Sequence, residues 1–142
     1  MGIPNKPADK SICQLPCDLI NRTLGMELGP GEVVLTRAHQ IHASRKHPDD
    51  YMRCAEHLAA IVSNPFYIGD DLENAGIELI ARLPAVGEFV LVAVTVTPDA
   101  SGRYQISSFY IVSDKKIQSR RQKGFLRIAV PEAPKRRVEG GS

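Results

Sequence analysis

The sequence predicts an α+β domain in which helices come first and an antiparallel sheet follows. Three observations predict it. Apolar residues recur at helical spacing between residues 51 and 62. The period then changes from 3.6 to 2, with a near-continuous β-branched run over 88–97. A loop ending in glycine at 98–102 then turns that run back into a partner strand.

Residues 1–12 are polar and contain two prolines, which predicts a flexible lead-in; a single domain is expected over 13–130. Residues 131–137 form a basic, Pro-rich tail, and 139–142 resemble a linker. The stretch 15–25 suggests a short helix with Leu19, Ile20 and Leu24 on one side and Gly25 as its stop. Residues 33–35 suit a short strand. Thr36 is a good N-cap for a helix running to about Lys46, and His39 takes the position where a capping box would have Glu or Gln. Ala38, Ile41, His42 and Arg45 share one face of that helix, which places His42 beside a buried stripe.

His47-Pro48 breaks the helix, because the residue before proline is pushed out of helical geometry. Pro48, Asp49 and Asp50 suit the first turn of the next one. Tyr51, Cys54, Ala55, Leu58, Ile61 and Val62 form its buried stripe, and His57 points to the opposite, exposed side. That helix ends before Asn64-Pro65. Residues 77–83 alternate as a strand, and 88–97 predict a central strand covered on both faces. In the partner strand, 103–113, alternation puts Tyr104, Ile106, Ser108, Tyr110 and Val112 on one face. Gln105, Ser107, Phe109, Ile111 and Ser113 take the other. Asp114 can cap a basic helix over 115–123, closed by Gly124, and 125–130 is a last strand.

Composition bounds the function. At 142 residues the chain suits one domain with a real core. No apolar run approaches the roughly 18–20 residues of a membrane span, and the N-terminus carries no export-signal pattern. Cys13, Cys17 and Cys54 are an odd set that completes no zinc pattern, so reduced thiols and neither metal nor cofactor are expected. Asp70-Asp71 with Glu73 lacks calcium-loop spacing and suits a loop or a helix cap. Charge is divided unevenly. Residues 1–113 hold nine Lys/Arg against thirteen Asp/Glu, net −4, whereas 114–142 hold nine against three, net +6. A cationic end on a mildly acidic body suits a polyanion, though a solvated basic surface has the same composition.

The chemistry concentrates in residues 36–51, where His39, His42 and His47 stand beside Arg37, Arg45 and Lys46. Histidine exchanges protons near neutral pH, and permanent cations hold phosphate. Histidines on an amphipathic helix also serve as plain surface or core residues. His, Ser/Tyr hydroxyls, Lys and Arg together suit RNA cleavage by internal transphosphorylation, which needs an acid, a base and donors to the phosphate. Two of the three histidines can supply the proton transfers. Lys116, Arg120, Arg121 and Lys123 can hold phosphate, while Ser107, Ser108 and Tyr110 supply hydroxyls. The plain alternative is a serine on the solvent side of a strand and a basic helix that is merely solvated. No G-x-S-x-G elbow or P-loop occurs.

His42, Lys46-His47-Pro48 and Tyr51, then Asn64-Pro65-x-Tyr67-Ile68, Ser107-Ser108-Phe109-Tyr110 and the basic helix ending Lys123-Gly124, follow one another in a telling order. The series resembles phage and polymorphic-toxin domains of the barnase–EndoU–colicin–RelE-like nuclease superfamily, over roughly residues 12–128. The resemblance implies N-terminal helices packed on a four- or five-stranded antiparallel sheet. It implies metal-independent ribonuclease activity without a cofactor, in a monomeric toxin acting on cytoplasmic RNA, tRNA among the candidates. Such toxins are delivered as the C-terminal part of a larger secreted or phage protein and restrained by an immunity protein. His42 and His47 would be acid and base, with Ser108 and Tyr110 in the catalytic group. His39, Arg45, Lys46, Ser107, Lys116, Arg120 and Arg121 would contact the substrate. Lys46-His47 stands where Arg-His is expected, which keeps the charge but loses the guanidinium geometry. The rival expectations are a nucleic-acid- or protein-binding module without catalysis, and transfer of a nucleotide-derived group.

Overall fold

A computed structural model describes residues 8–71 and 75–130 of the chain. Its elements alternate more than the sequence predicts. Strand β1 (Lys10–Gln14) precedes helix α1 (Cys17–Leu24), and strand β2 (Glu32–Leu35) precedes helices α2 (Arg37–Lys46) and α3 (Pro48–Cys54). A 3₁₀ turn (Ala55–His57) leads to α4 (Leu58–Ser63). Strands β3 (Tyr67–Asp71), β4 (Gly76–Leu83), β5 (Glu88–Thr95) and β6 (Tyr104–Val112) follow, then α5 (Asp114–Gln122) and β7 (Leu126–Ile128).

The α+β class stands, but the sheet is larger than expected and mixed. Its seven strands lie in the order β1-β2-β6-β5-β4-β3-β7. All pairs are antiparallel except β2 with β6, which run parallel through Val33–Tyr104 and Val34–Gln105. Lys10, Ser11 and Ile12, expected to belong to a flexible lead-in over residues 1–12, lie instead in β1, which pairs with β2. Asp70 and Asp71 belong to β3 rather than to a loop or cap, for β3 gains ladders on both sides, with β4 and β7. Glu73, residues 1–7, the tail over 131–137 and the stretch 139–142 lie outside the described residues.

Alternation along the central strands divides the buried side chains between two faces. Val90, Val92 and Val94 of β5 join Ile77 and Leu79 of β4 in one core. Ile20 of α1, Ala43 of α2 and Leu58, Ile61 and Val62 of α4 complete that core. Leu91 and Ala93 turn the other way, towards Ile80, Tyr67, Leu126 and Ile117 of α5. Residues 90–94 of β5 are thus buried on both faces, as expected of a central strand.

Local chemistry sets the helix ends. Thr36 caps α2, its hydroxyl accepting from the His39 N–H at 3.3 Å. Gly25 ends α1 in the left-handed region, φ 69°, where a side chain would be strained. The cap of α5 is Ser113, accepting from the Lys116 N–H at 3.2 Å, and Asp114 is the first helical residue instead. Of the expected stripe, Cys54, Leu58, Ile61 and Val62 are buried and Tyr51 and Ala55 half-buried, but the helix carrying it is interrupted by the 3₁₀ turn. That turn leaves His57 partly covered beside Glu56, at 3.6 Å, rather than exposed. On α2 the buried residues are Gln40 and Ala43, while Ala38, His42 and Arg45 are exposed. The expected face is therefore rotated outward. A polar residue wins the inner position because the Gln40 amide is satisfied there, donating to the carbonyls of Leu35 at 3.2 Å and Ala8 at 2.6 Å.

Candidate active site on the helix α5 face

β6 is irregular where its chemistry lies. Its ladder with β5 pairs Ala93 with Ser108 and Val94 with Ile106, so Ser107 is an extra residue, a β-bulge. Ile106 and Phe109 both enter the core on the helix-rich side. Ser107 and Ser108 both turn to the opposite side, where they line one pocket with Tyr110. The expected alternation, with Ser107 on the Phe109 face and Ile106 on the Ser108 face, fails at that single residue. The Ser107 hydroxyl donates to the Ala93 carbonyl at 3.3 Å, and Thr95 beside it donates to the Gln105 carbonyl at 3.3 Å.

The pocket has a volume of about 520 Å³ and lies between the open face of the sheet and α5. Glu78 of β4, Asp71 of β3, Thr95 of β5 and Arg120 of α5 line it as well. Glu78 is 5% exposed, and a carboxylate at that depth needs a partner. Arg120 is that partner, in an ion pair and hydrogen bond to Oε1. A pair of this kind holds α5 in place over the sheet and sets one guanidinium edge in the pocket.

Tyr110 connects the pocket to the helices. β2 pairs with β6 only as far as Gln105, which leaves the later edge of β6 to α3. Asp50 there accepts the Ile111 N–H at 3.2 Å. At the same edge the His47 ring lies 5.8 Å from the Tyr110 ring, tilted by 33°. Lys116 Nζ stands 5.4 Å from the centroid of that ring, within cation–π range. Burial, and then the Asp71 carboxylate, push the Tyr110 phenol above its ordinary value. The phenol therefore stays protonated through neutral pH and offers a hydrogen-bond or proton donor.

The structure thus brings Ser107, Ser108, Tyr110 and Arg120 to one pocket, with His47 and Lys116 around the Tyr110 ring. The other candidate residues stand elsewhere. His39 turns to its own cap, Nδ1 3.1 Å from the Thr36 hydroxyl, and burial followed by the His42 charge lowers its pKa. His42, Arg45 and Lys46 are exposed on α2. Arg121 lies over the Tyr67 ring, 5.4 Å from its centroid. Sequence reasoning missed Asp71, Glu78 and Thr95. Glu78 had a signal, an acid in mid-strand within the apolar run 77–83. Among the described residues no group of His, Cys, Asp or Glu is placed to hold a metal ion.

A second pocket, of about 460 Å³, adjoins the first and shares Asp71 and Arg120 with it. Lys116, Ser119 and Lys123 of α5 line it, with Asp70 and Phe125. Among the described residues no helix is long and apolar enough to cross a membrane. No protein-family model, curated protein or solved structure matches the chain.

Proposed function

We propose that the protein is an endoribonuclease that cleaves RNA by attack of a ribose 2′-OH on the adjacent phosphate, in the manner of the barnase–EndoU–colicin–RelE-like nucleases. One observation carries the reading. Ser107, Ser108, Tyr110 and Arg120 share a pocket, and an imidazole and an ammonium flank its phenol. The reaction needs that inventory. Arg120 and Lys116 hold the phosphate, and the Ser108 hydroxyl donates to a non-bridging oxygen, while Ser107, tied to the Ala93 carbonyl, shapes the pocket wall. His47 takes the 2′-OH proton as O2′ bonds to phosphorus. The P–O5′ bond breaks, and Tyr110 donates its proton to O5′, leaving a 2′,3′-cyclic phosphate and a 5′-hydroxyl. The reading carries with it cytoplasmic RNA as the substrate and an immunity protein as the partner.

Incubation with total RNA in EDTA tests it, with end-group analysis of the products. Cleavage to cyclic phosphate ends is expected. His47→Ala and Tyr110→Phe should each lower the rate roughly 10²- to 10⁴-fold, the usual contribution of a positioned acid or base. RNA that stays intact at high protein concentration removes the enzymatic reading, and RNA bound but uncut supports a binding module instead. Cleavage that stops on chelation removes the metal-independent chemistry. If both variants cut like the parent, the proton transfers belong to other residues.

A further inference from the structure

We propose that the second pocket is a nucleotide subsite, in which Phe125 stacks an unpaired base and Ser119 and Lys123 hold the phosphate next to the scissile one. This rests on the ribonuclease reading and gives it a substrate class, single-stranded RNA extending at least one nucleotide beyond the cleaved bond.

Continuity is the first support. The two pockets share Arg120, so a strand whose phosphate meets that guanidinium runs directly from one into the other. The α5 side of the second pocket is then cationic for the length of a nucleotide. Lys116, Arg120 and Lys123 fall at i, i+4 and i+7, one face of the helix, with the Ser119 hydroxyl among them. Asp70 and Asp71 make the β3 side acidic. Phosphates are thereby directed to α5, and base amino groups to the carboxylates.

Phe125 is the second support. Its backbone is fixed, the N–H donating to the Arg120 carbonyl at 3.0 Å and its carbonyl accepting the Asp70 N–H at 3.2 Å. The approach is close because residue 69 is glycine. A Cβ there would meet the Phe125 oxygen at 2.7 Å. Yet the Phe125 side chain is left free, with the residue 48% exposed and without a ring partner among the described residues. Phe66, exposed to a similar degree, packs edge-on against Tyr67 at 4.7 Å. A half-exposed ring on a rigid backbone beside a row of cations is how proteins take single strands: charge follows the phosphates and the ring takes the face of a base.

The test is binding of a fluorescent 2′-O-methyl tetranucleotide, which lacks the attacking hydroxyl, followed by anisotropy. Phe125→Ala should weaken binding roughly tenfold, in line with the loss of one stacked base, and Phe125→Trp should retain it. Lys123→Ala should reduce the slope of log affinity against log salt by about 0.7, as for one single-strand phosphate contact. Binding of Phe125→Ala within about twofold of the parent overturns the subsite, as does failure of the parent to bind the tetranucleotide. The two readings fail separately. RNA cut normally with no Phe125 dependence keeps the ribonuclease and removes the subsite. Phe125-dependent binding with no cutting of any RNA keeps the groove as a single-strand site and removes the enzyme.

Discussion

Glu78 and Arg120 face each other across the candidate site, and their burial is unequal. The Glu78 side chain is 7% exposed and that of Arg120 27%. Removing one partner of a buried pair leaves the other charge desolvated, whereas replacing both by apolar groups is often neutral. Arg120→Ala should therefore destabilise the protein by about 3 kcal/mol, the lower end of the usual range because Arg120 is partly wetted. The double variant Glu78→Leu/Arg120→Leu should recover most of that loss while still failing to hold a phosphate. Urea unfolding of the parent, Glu78→Leu, Arg120→Leu and the double variant closes the thermodynamic cycle. Arg120→Ala unfolding within about 0.5 kcal/mol of the parent would mean that the carboxylate is solvated and the pair structurally idle. The acid itself is a residue that sequence alone could flag but not interpret. Its position in an apolar strand marks it as unusual, but its partner lies 42 positions along the chain. Only the docking of α5 joins them.

The bulge in β6 places two hydroxyls on one face at the expense of one ladder position, and it makes an unusual deletion harmless. Removing one of Ser107 and Ser108 gives the same sequence either way. It leaves Ile106, one serine, Phe109 and Tyr110 in plain alternation, so Ile106 and Phe109 keep their places in the core. That deletion should unfold within about 1–2 kcal/mol of the parent, whereas deleting Val92 reverses the inward and outward sets along β5 and should abolish cooperative unfolding. Thermal melts followed by circular dichroism compare the two. If the serine deletion is as damaging as the Val92 deletion, the bulge is holding the strand in register rather than aiming hydroxyls. β4, β5 and β6 were legible because apolar residues recur along eight or nine positions, near-continuously in β5, even though the alternation in β6 breaks at Ser107. The helix-start signal at Thr36 was legible for the same local reason, an oxygen three residues before an N–H it can accept. β1 and β3 were not. Each has five residues with polar members, and each is a strand because of its neighbours, β2 in one case and β4 with β7 in the other. The parallel β2–β6 pair joins residues about 70 apart, beyond the reach of any periodicity. Of the candidate site, Ser107, Ser108, Tyr110, Lys116 and Arg120 were nameable by chemistry. Their convergence follows from the bulge and from where β2 leaves β6, and neither has a local pattern. His42 was displaced by Gln40, whose two carbonyl partners lie in other segments.

Across the whole molecule, burial shifts the thiols of Cys13 and Cys54 and the phenols of Tyr104 and Tyr110 in one direction, and that direction predicts how the fold responds to base. Cys54 is fully buried, and its thiol is pushed up from 9.0 to about 11 by desolvation first, with the Asp50 and Glu88 carboxylates adding and Arg53 opposing. Burial also raises Cys13, Tyr104 and Tyr110 above their ordinary values. In each case the folded state holds its proton to higher pH than the unfolded chain does. The contribution to stability is therefore complete below the unfolded value and lost as pH rises through the folded one. For Cys54 the window is pH 9.0 to about 11, and the loss is on the order of 2–3 kcal/mol by the free energy of a pKa unit. The acid side has the opposite sign. His39 is held below 6.5, so its contribution is present above that value and declines as pH falls through the lowered one. Urea unfolding free energies measured in reductant from pH 5 to 11 should trace a dome that falls more steeply on the alkaline limb. Cys54→Ala should start lower at neutral pH, through the small cavity it leaves, and then lose less between pH 9 and 11, with the remaining decline due to the tyrosines and Cys13. An alkaline limb as steep in Cys54→Ala as in the parent would place the responsible proton on Cys13, Tyr104 or Tyr110, and Cys13→Ala, Tyr104→Phe and Tyr110→Phe would then show which of them flattens it.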